Sequence, residues 1–226
     1  IPAQTRWGKL ADLLGTRGDR LGMYQVSYEI FTREMQRALT LSGAANLDCG
    51  LAPDRARELR TLIEGHSDLS ALAYESAAER FDAVLAHLDR VGSTDAHARA
   101  RACLGLGLAQ RGLGNPGYLP PVEEAGVLAR RLGDADLMAD AALGSIWPGN
   151  LFLTAGRIET HLVELCEDAL AALDASDPRR VRLLATLASH LTFDPDRDRC
   201  RAALDEAYRA ARENGDPELI GTALVA

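Results

Sequence analysis

The residues in this chain able to do chemistry are five histidines, His66, His87, His97, His161 and His190, and four cysteines, Cys49, Cys103, Cys166 and Cys200. A zinc site on a helix needs ligands one turn apart, or a CxxC pair. No two histidines stand at i, i+3 or i+4 and no CxxC occurs, so the sequence assigns no metal ligand. Cysteines isolated on apolar helix faces read as small core residues. His87 with Asp89, and His161 with Glu164, have the composition of acid–base pairs, but solvated helix faces produce such pairs constantly. A phosphate-cradling loop needs Gly-x4-Gly-Lys-Ser/Thr. Lys9 is the only lysine and follows Trp7-Gly8 with no glycine loop ahead of it. GxGxxG is also missing, and Gly105-Leu-Gly107 reads as close helix contact. The sequence therefore names no catalytic residue, no metal ligand and no cofactor.

Recognition is better represented. In Ser145-Ile-Trp-Pro-Gly-Asn-Leu-Phe152 a Pro-Gly turn stands beside two large aromatics. Trp147 and Asn150 would supply a stacking surface and an amide to a groove; alternatively Trp147 and Phe152 plug a junction between helices. Tyr118 beside Asn115, and His190 beside Leu191-Thr192-Phe193, divide between ligand contact and packing in the same way. Arg101 and Arg182 would form a basic stripe able to receive an acidic peptide or ligand. The candidate ligand- or partner-binding set is thus Arg101, Tyr118, Trp147, Asn150 and His190. The charge runs Pro178-Arg179-Arg180 and Arg197-Asp198-Arg199 read as exposed helix starts.

These residues must be positioned by helices. Gly92, Gly133, Asp174 and Gly215 end helix-like blocks on a 41-residue beat. Leu128-Ala-Arg-Arg-Leu-Gly-Asp-Ala-Asp-Leu137 also returns 82 residues later as Ala210-Ala-Arg-Glu-Asn-Gly-Asp-Pro-Glu-Leu219. A period of two helices and two turns predicts an all-α fold, an α-solenoid of antiparallel helix pairs in which each unit buries its apolar face on its neighbours. No window shows sustained period-2 alternation of β-branched and aromatic residues, so no strand is predicted. Pro53 opens a helix that Gly65 stops. Ser67 or Asp68 caps the next, which carries Leu72, Ala73, Ala77, Phe81, Val84, Leu85 and Leu88 on one face to Gly92. Helices follow over Asp95 to Gly112, Pro121 to Leu132, Asp134 to Ile146, Ile158 to Leu173, Asp177 to Leu191 and Asp196 to Asn214, and a last one starts at Pro217. Upstream, Thr5 caps a short helix and Asp19 starts a longer one to Leu39, before turn chemistry from Ser42 to Pro53. Two regions result: an N-terminal helical region, 1–52, and a repeat array, 53–226.

Composition bounds the partners. The 226 residues are 47% hydrophobic with a net charge of −8, and no apolar run reaches the roughly 18 to 20 residues that span a bilayer. Interspersed acids and bases argue against gripping a phosphate backbone, so neither membrane nor nucleic acid is expected as a direct partner. Unpaired cysteines fit a reducing cytoplasm. A start at Ile1 and a stop at Ala226, just inside a new helix, read as a piece of a larger protein.

The Ala77-Phe81-Val84 pattern, and Leu106-Gly107 with Gly114 seven residues on, resemble the tetratricopeptide repeat in divergent form, the beat being longer than the usual 34 residues. Residues 70–226 more closely resemble the C-terminal helical-repeat region of large bacterial regulators, the maltose-regulator-like (LuxR-type) and antibiotic-regulatory-type ATPases and related adenylate cyclases. The resemblance is carried by Ala73-Tyr-Glu-Ser-Ala-Ala78, Leu128-Ala-Arg-Arg-Leu-Gly-Asp134, Leu170-Ala-Ala-Leu-Asp174 with Arg182-Leu-Leu-Ala185, and most specifically Leu191-Thr-Phe-Asp-Pro-Asp-Arg197. It implies a non-catalytic, effector-sensing or protein-docking domain, with a nucleotide-binding switch domain upstream in the parent chain and a protein or small-molecule effector on the concave face. Homo-oligomerisation stays open. Two departures stand out. Asn115-Pro-Gly-Tyr-Leu-Pro-Pro121 replaces the usual start of a second helix and is expected to shorten it and leave a rigid loop. Residues 1–65 match no block of those proteins. The rival readings are an enzyme with a cleft between the N-terminal helices and the array, using Tyr24, Tyr28 and Glu29, and a purely structural oligomerisation module.

Overall fold

The computed structural model describes residues 53–146 and 159–225, and among the described residues every regular element is helical. The order is α1 (Pro53–Ser70), α2 (Tyr74–Arg90), α3 (Ala96–Gly112), a 3-10 turn (Pro116–Tyr118), α4 (Leu119–Leu132), α5 (Ala135–Gly144), α6 (Thr160–Ala172), α7 (Arg179–His190), α8 (Arg197–Asn214) and α9 (Pro217–Val225). The chain divides into two compact units, one ending at Val122 and the other beginning at Glu123. No described helix is long and apolar enough to cross a membrane.

The turns explain the sequence period. After α1, α2, α3 and α4 the backbone enters the left-handed region at Leu72, Gly92, Gly114 and Gly133, with φ of 62°, 61°, 74° and 64°. Each closes with the same two bonds, one reaching back three residues and the next reaching back five. They are Leu72 N–H to Leu69 O and Ala73 N–H to Asp68 O, then Gly92 to Asp89 and Ser93 to Leu88, Gly114 to Arg111 and Asn115 to Gln110, Gly133 to Arg130 and Asp134 to Ala129. This is the Schellman closure, which satisfies orphan carbonyls at a helix end and favours glycine because a Cβ is crowded there. Gly215, at φ 76°, ends α8 with the simpler single bond to Ala211 O. The third mark of the beat, Asp174, is different: α6 leaves through an extended Leu173. Helix starts are equally local. Asp95, Asp134 and Asp196 accept from the backbone N–H of Ala98, Leu137 and Asp198, satisfying donors that each new helix leaves free.

In the first unit α2 packs on α1 and α3, and α1 also touches α3. Phe81 is the pivot. Its ring is fully buried, and a Cβ built on Gly65 of α1 or Gly105 of α3 would stand 2.8 and 2.3 Å from its Cζ. Both glycines are therefore a steric requirement. His66, also fully buried, meets the ring edge-on at 5.0 Å. Gly107 admits Val122 and Gly112 admits Tyr74 in the same manner, as expected of a helix whose glycines serve close contact. From Ala100 to Ala109 every residue of α3 is buried.

In the second unit successive helices pack from α5 to α9, and contacts also skip one helix, α5 to α7 and α7 to α9. Val181 and Leu184 of α7, Ala207 and Ala211 of α8, and Leu219 and Ala223 of α9 form one core; alanines allow close axes and leucines fill between them. Leu165 of α6 lies over Gly126 of α4, where a Cβ would stand 2.7 Å away.

Three local expectations need correction. Gly65 does not stop α1, which runs on to Ser70; the glycine is a socket for Phe81. Neither Ser67 nor Asp68 caps α2. They lie inside α1, and Leu72, expected on the apolar face, is the exposed turn residue. Asn115–Pro121 is not a loop. Asn115 Oδ1 accepts from Gly117 N–H to start a 3-10 turn, and Pro120 and Pro121 fall in the first turn of α4, where the missing N–H groups would have no intrahelical partner. The helices expected before residue 53 lie outside the described residues.

Candidate functional site

Polar side chains gather at two places in the second unit. The first is Arg179, at the start of α7. Its Nε and Nη2 form a two-pronged contact with Asp177 at 3.0 and 2.6 Å. Nη2 also donates to Asp136 Oδ1 at 2.8 Å, and Nη1 stands 3.9 Å from Asp140 Oδ1. Burial opposes the guanidinium's charge, but the bonds to Asp177 and Asp136 outweigh it and raise the pKa. The expectation of an exposed helix start at Pro178-Arg179-Arg180 is thus corrected. Arg179 keeps only 12% of its side chain exposed and ties α7 to α5, while Arg180 donates to the carbonyl of Leu170 near the end of α6. Arg199 of the other run reaches Glu167 and Asp194, each at 2.9 Å.

The second cluster joins the end of α7 to the end of α5. Ser145 Oγ lies 2.9 Å from His190 Nε2 and donates to Ala142 O at 2.6 Å. A hydroxyl has one proton. Since the Ala142 carbonyl takes it, His190 must supply the proton of the other bond, from an Nε2–H tautomer. Burial, reinforced by the charge of His161, pushes the His190 pKa down to about 4, so the ring is neutral near pH 7. A serine nucleophile needs the opposite polarity, with its proton directed at an unprotonated imidazole nitrogen. The pair is a structural tie and does not activate Ser145. Close by, His161 Nε2 lies 2.7 Å from Glu123 Oε1. Cys166 is fully buried, and desolvation first and Glu167 second push its thiol up to about 12, far from the thiolate a reactive cysteine needs. Among the described residues no group of three or more His, Cys, Asp or Glu has metal-binding geometry.

The five sequence candidates are not brought into one site. Arg101 and Tyr118 are both buried, in the first unit, at 7% exposure each. His190 belongs to the second unit. Trp147 and Asn150 lie outside the described residues, as do Tyr24, Tyr28 and Glu29. Arg182 stands 3.6 Å from Glu218. Sequence reasoning missed Ser145 as the partner of His190, and Asp136 and Asp140 as partners of Arg179. The available signal was distance along the chain: Asp136 precedes Arg179 by 43 residues and Ser145 precedes His190 by 45, close to the 41-residue spacing of the turn marks in the sequence.

No protein-family model, curated protein or solved structure matches the chain.

Proposed function

We propose that the chain is a non-catalytic helical-repeat domain, a divergent tetratricopeptide-like array that senses an effector or docks a protein for a bacterial regulator in the cytoplasm. The observation that carries this reading is the recurrence of one turn. The same left-handed closure returns 20, 22 and 19 residues apart, and helices one repeat apart touch: α1 with α3, α5 with α7, and α7 with α9. Stacked pairs of this kind give a binding surface made of many shallow contacts, not a single reactive pocket. The chemistry of the polar clusters supports the same reading, since Arg179 is held by carboxylates of its own chain and Ser145 is turned away from nucleophilic use.

Recognition would act through shape. A ligand held across several pairs stabilises one arrangement of them, and that difference in affinity biases a neighbouring switch domain. Coupling of roughly 1 to 3 kcal/mol suffices for a several-fold to hundredfold response. The test is a thermal-shift screen of sugars, nucleotides, metabolites and acidic peptides, run beside light scattering and a turnover assay. A saturable rise in melting temperature without turnover is expected. Turnover would point to an enzyme, and assembly with no ligand-dependent shift would point to a structural module.

A further inference from the structure

We draw no further inference here: the strongest candidate, the open side of α9, where a Cβ built on Gly221 would meet no described atom within 4 Å and Leu224 is 68% exposed, is an unpartnered apolar face, and nothing in the structure shows what covers it.

Discussion

The two units hold their helices with different weight on shape and on charge, although in the first Arg80 of α2 also bonds Glu64 and Asp68 of α1. In the first, α1, α2 and α3 are interlocked by shape: the Phe81 ring fills sockets made by Gly65 and Gly105. In the second, α5 and α7 are joined by charge and hydrogen bonds, through Arg179 with Asp136, Asp140 and Asp177, and through His190 with Ser145. An apolar interlock responds to volume. A buried polar tie tolerates little loss of either partner and answers to protonation. The lesson is that helices closed by similar turns can be held to their neighbours by different chemistry.

The largest expected effect comes from breaking the charge tie. Arg179→Met leaves three aspartates without their shared cation, and Asp140 is buried. The network is only partly buried, Asp136 being 36% exposed, so denaturant unfolding should show a loss of about 1 to 3 kcal/mol, below that of a fully buried pair. A loss below about 1 kcal/mol would mean that apolar packing, not this charge tie, holds α5 to α7.

Acid offers the next handle. His190 has a folded-state pKa of about 4 against an ordinary 6.5, so the unfolded chain takes up the proton more readily. Its contribution is fully present above about pH 6.5 and is lost as pH falls toward 4, by at most about 3 kcal/mol. His190→Gln, which can keep an N–H donor to Ser145, should flatten this part of the stability profile. Equal slopes for wild type and variant would show that the ring is not desolvated as described.

In the first unit a single methyl group is the probe. Gly105→Ala drives a Cβ to 2.3 Å from Phe81 Cζ, and overpacking of this kind costs about 1 to 3 kcal/mol. Phe81→Leu should cost less in the Gly105→Ala background than in wild type, because the clash goes with the ring. Additive losses would contradict the socket.

The smallest effect is a gain. Leu72 adopts the left-handed conformation that glycine holds at the three following turns, at a cost of roughly 1 to 2 kcal/mol for a residue with a Cβ. Leu72→Gly should raise stability by up to about 1 kcal/mol after the added freedom of the unfolded chain is counted. Calorimetry showing a loss would mean that the Leu72 side chain, 42% exposed, contributes more packing than its backbone costs.

What the sequence disclosed follows the same division. Gly92, Gly133 and Gly215, with the caps Asp95, Asp134 and Asp196, were legible because turn closure and capping involve residues within one or two turns of each other. Leu72 carried no turn signal, and so the end of α1 was misplaced. Gly65 and the prolines at 120 and 121 resembled helix breakers because a local reading cannot see a ring arriving from sixteen residues away, or a 3-10 turn that launches α4. The polar ties were hidden for the opposite reason. Arg179 with Asp136 and His190 with Ser145 are pairs 43 and 45 residues apart, so each residue alone looked like a solvated charge or a packing histidine.

A double-mutant cycle between Arg179 and Asp136 tests most directly the claim that α5 and α7 are packed on each other. With Arg179→Met, Asp136→Asn and the double variant, the account predicts a coupling of at least about 1 kcal/mol, as for partners in one hydrogen-bonded network. Additivity within about 0.3 to 0.5 kcal/mol, the behaviour of distant sites, would contradict it.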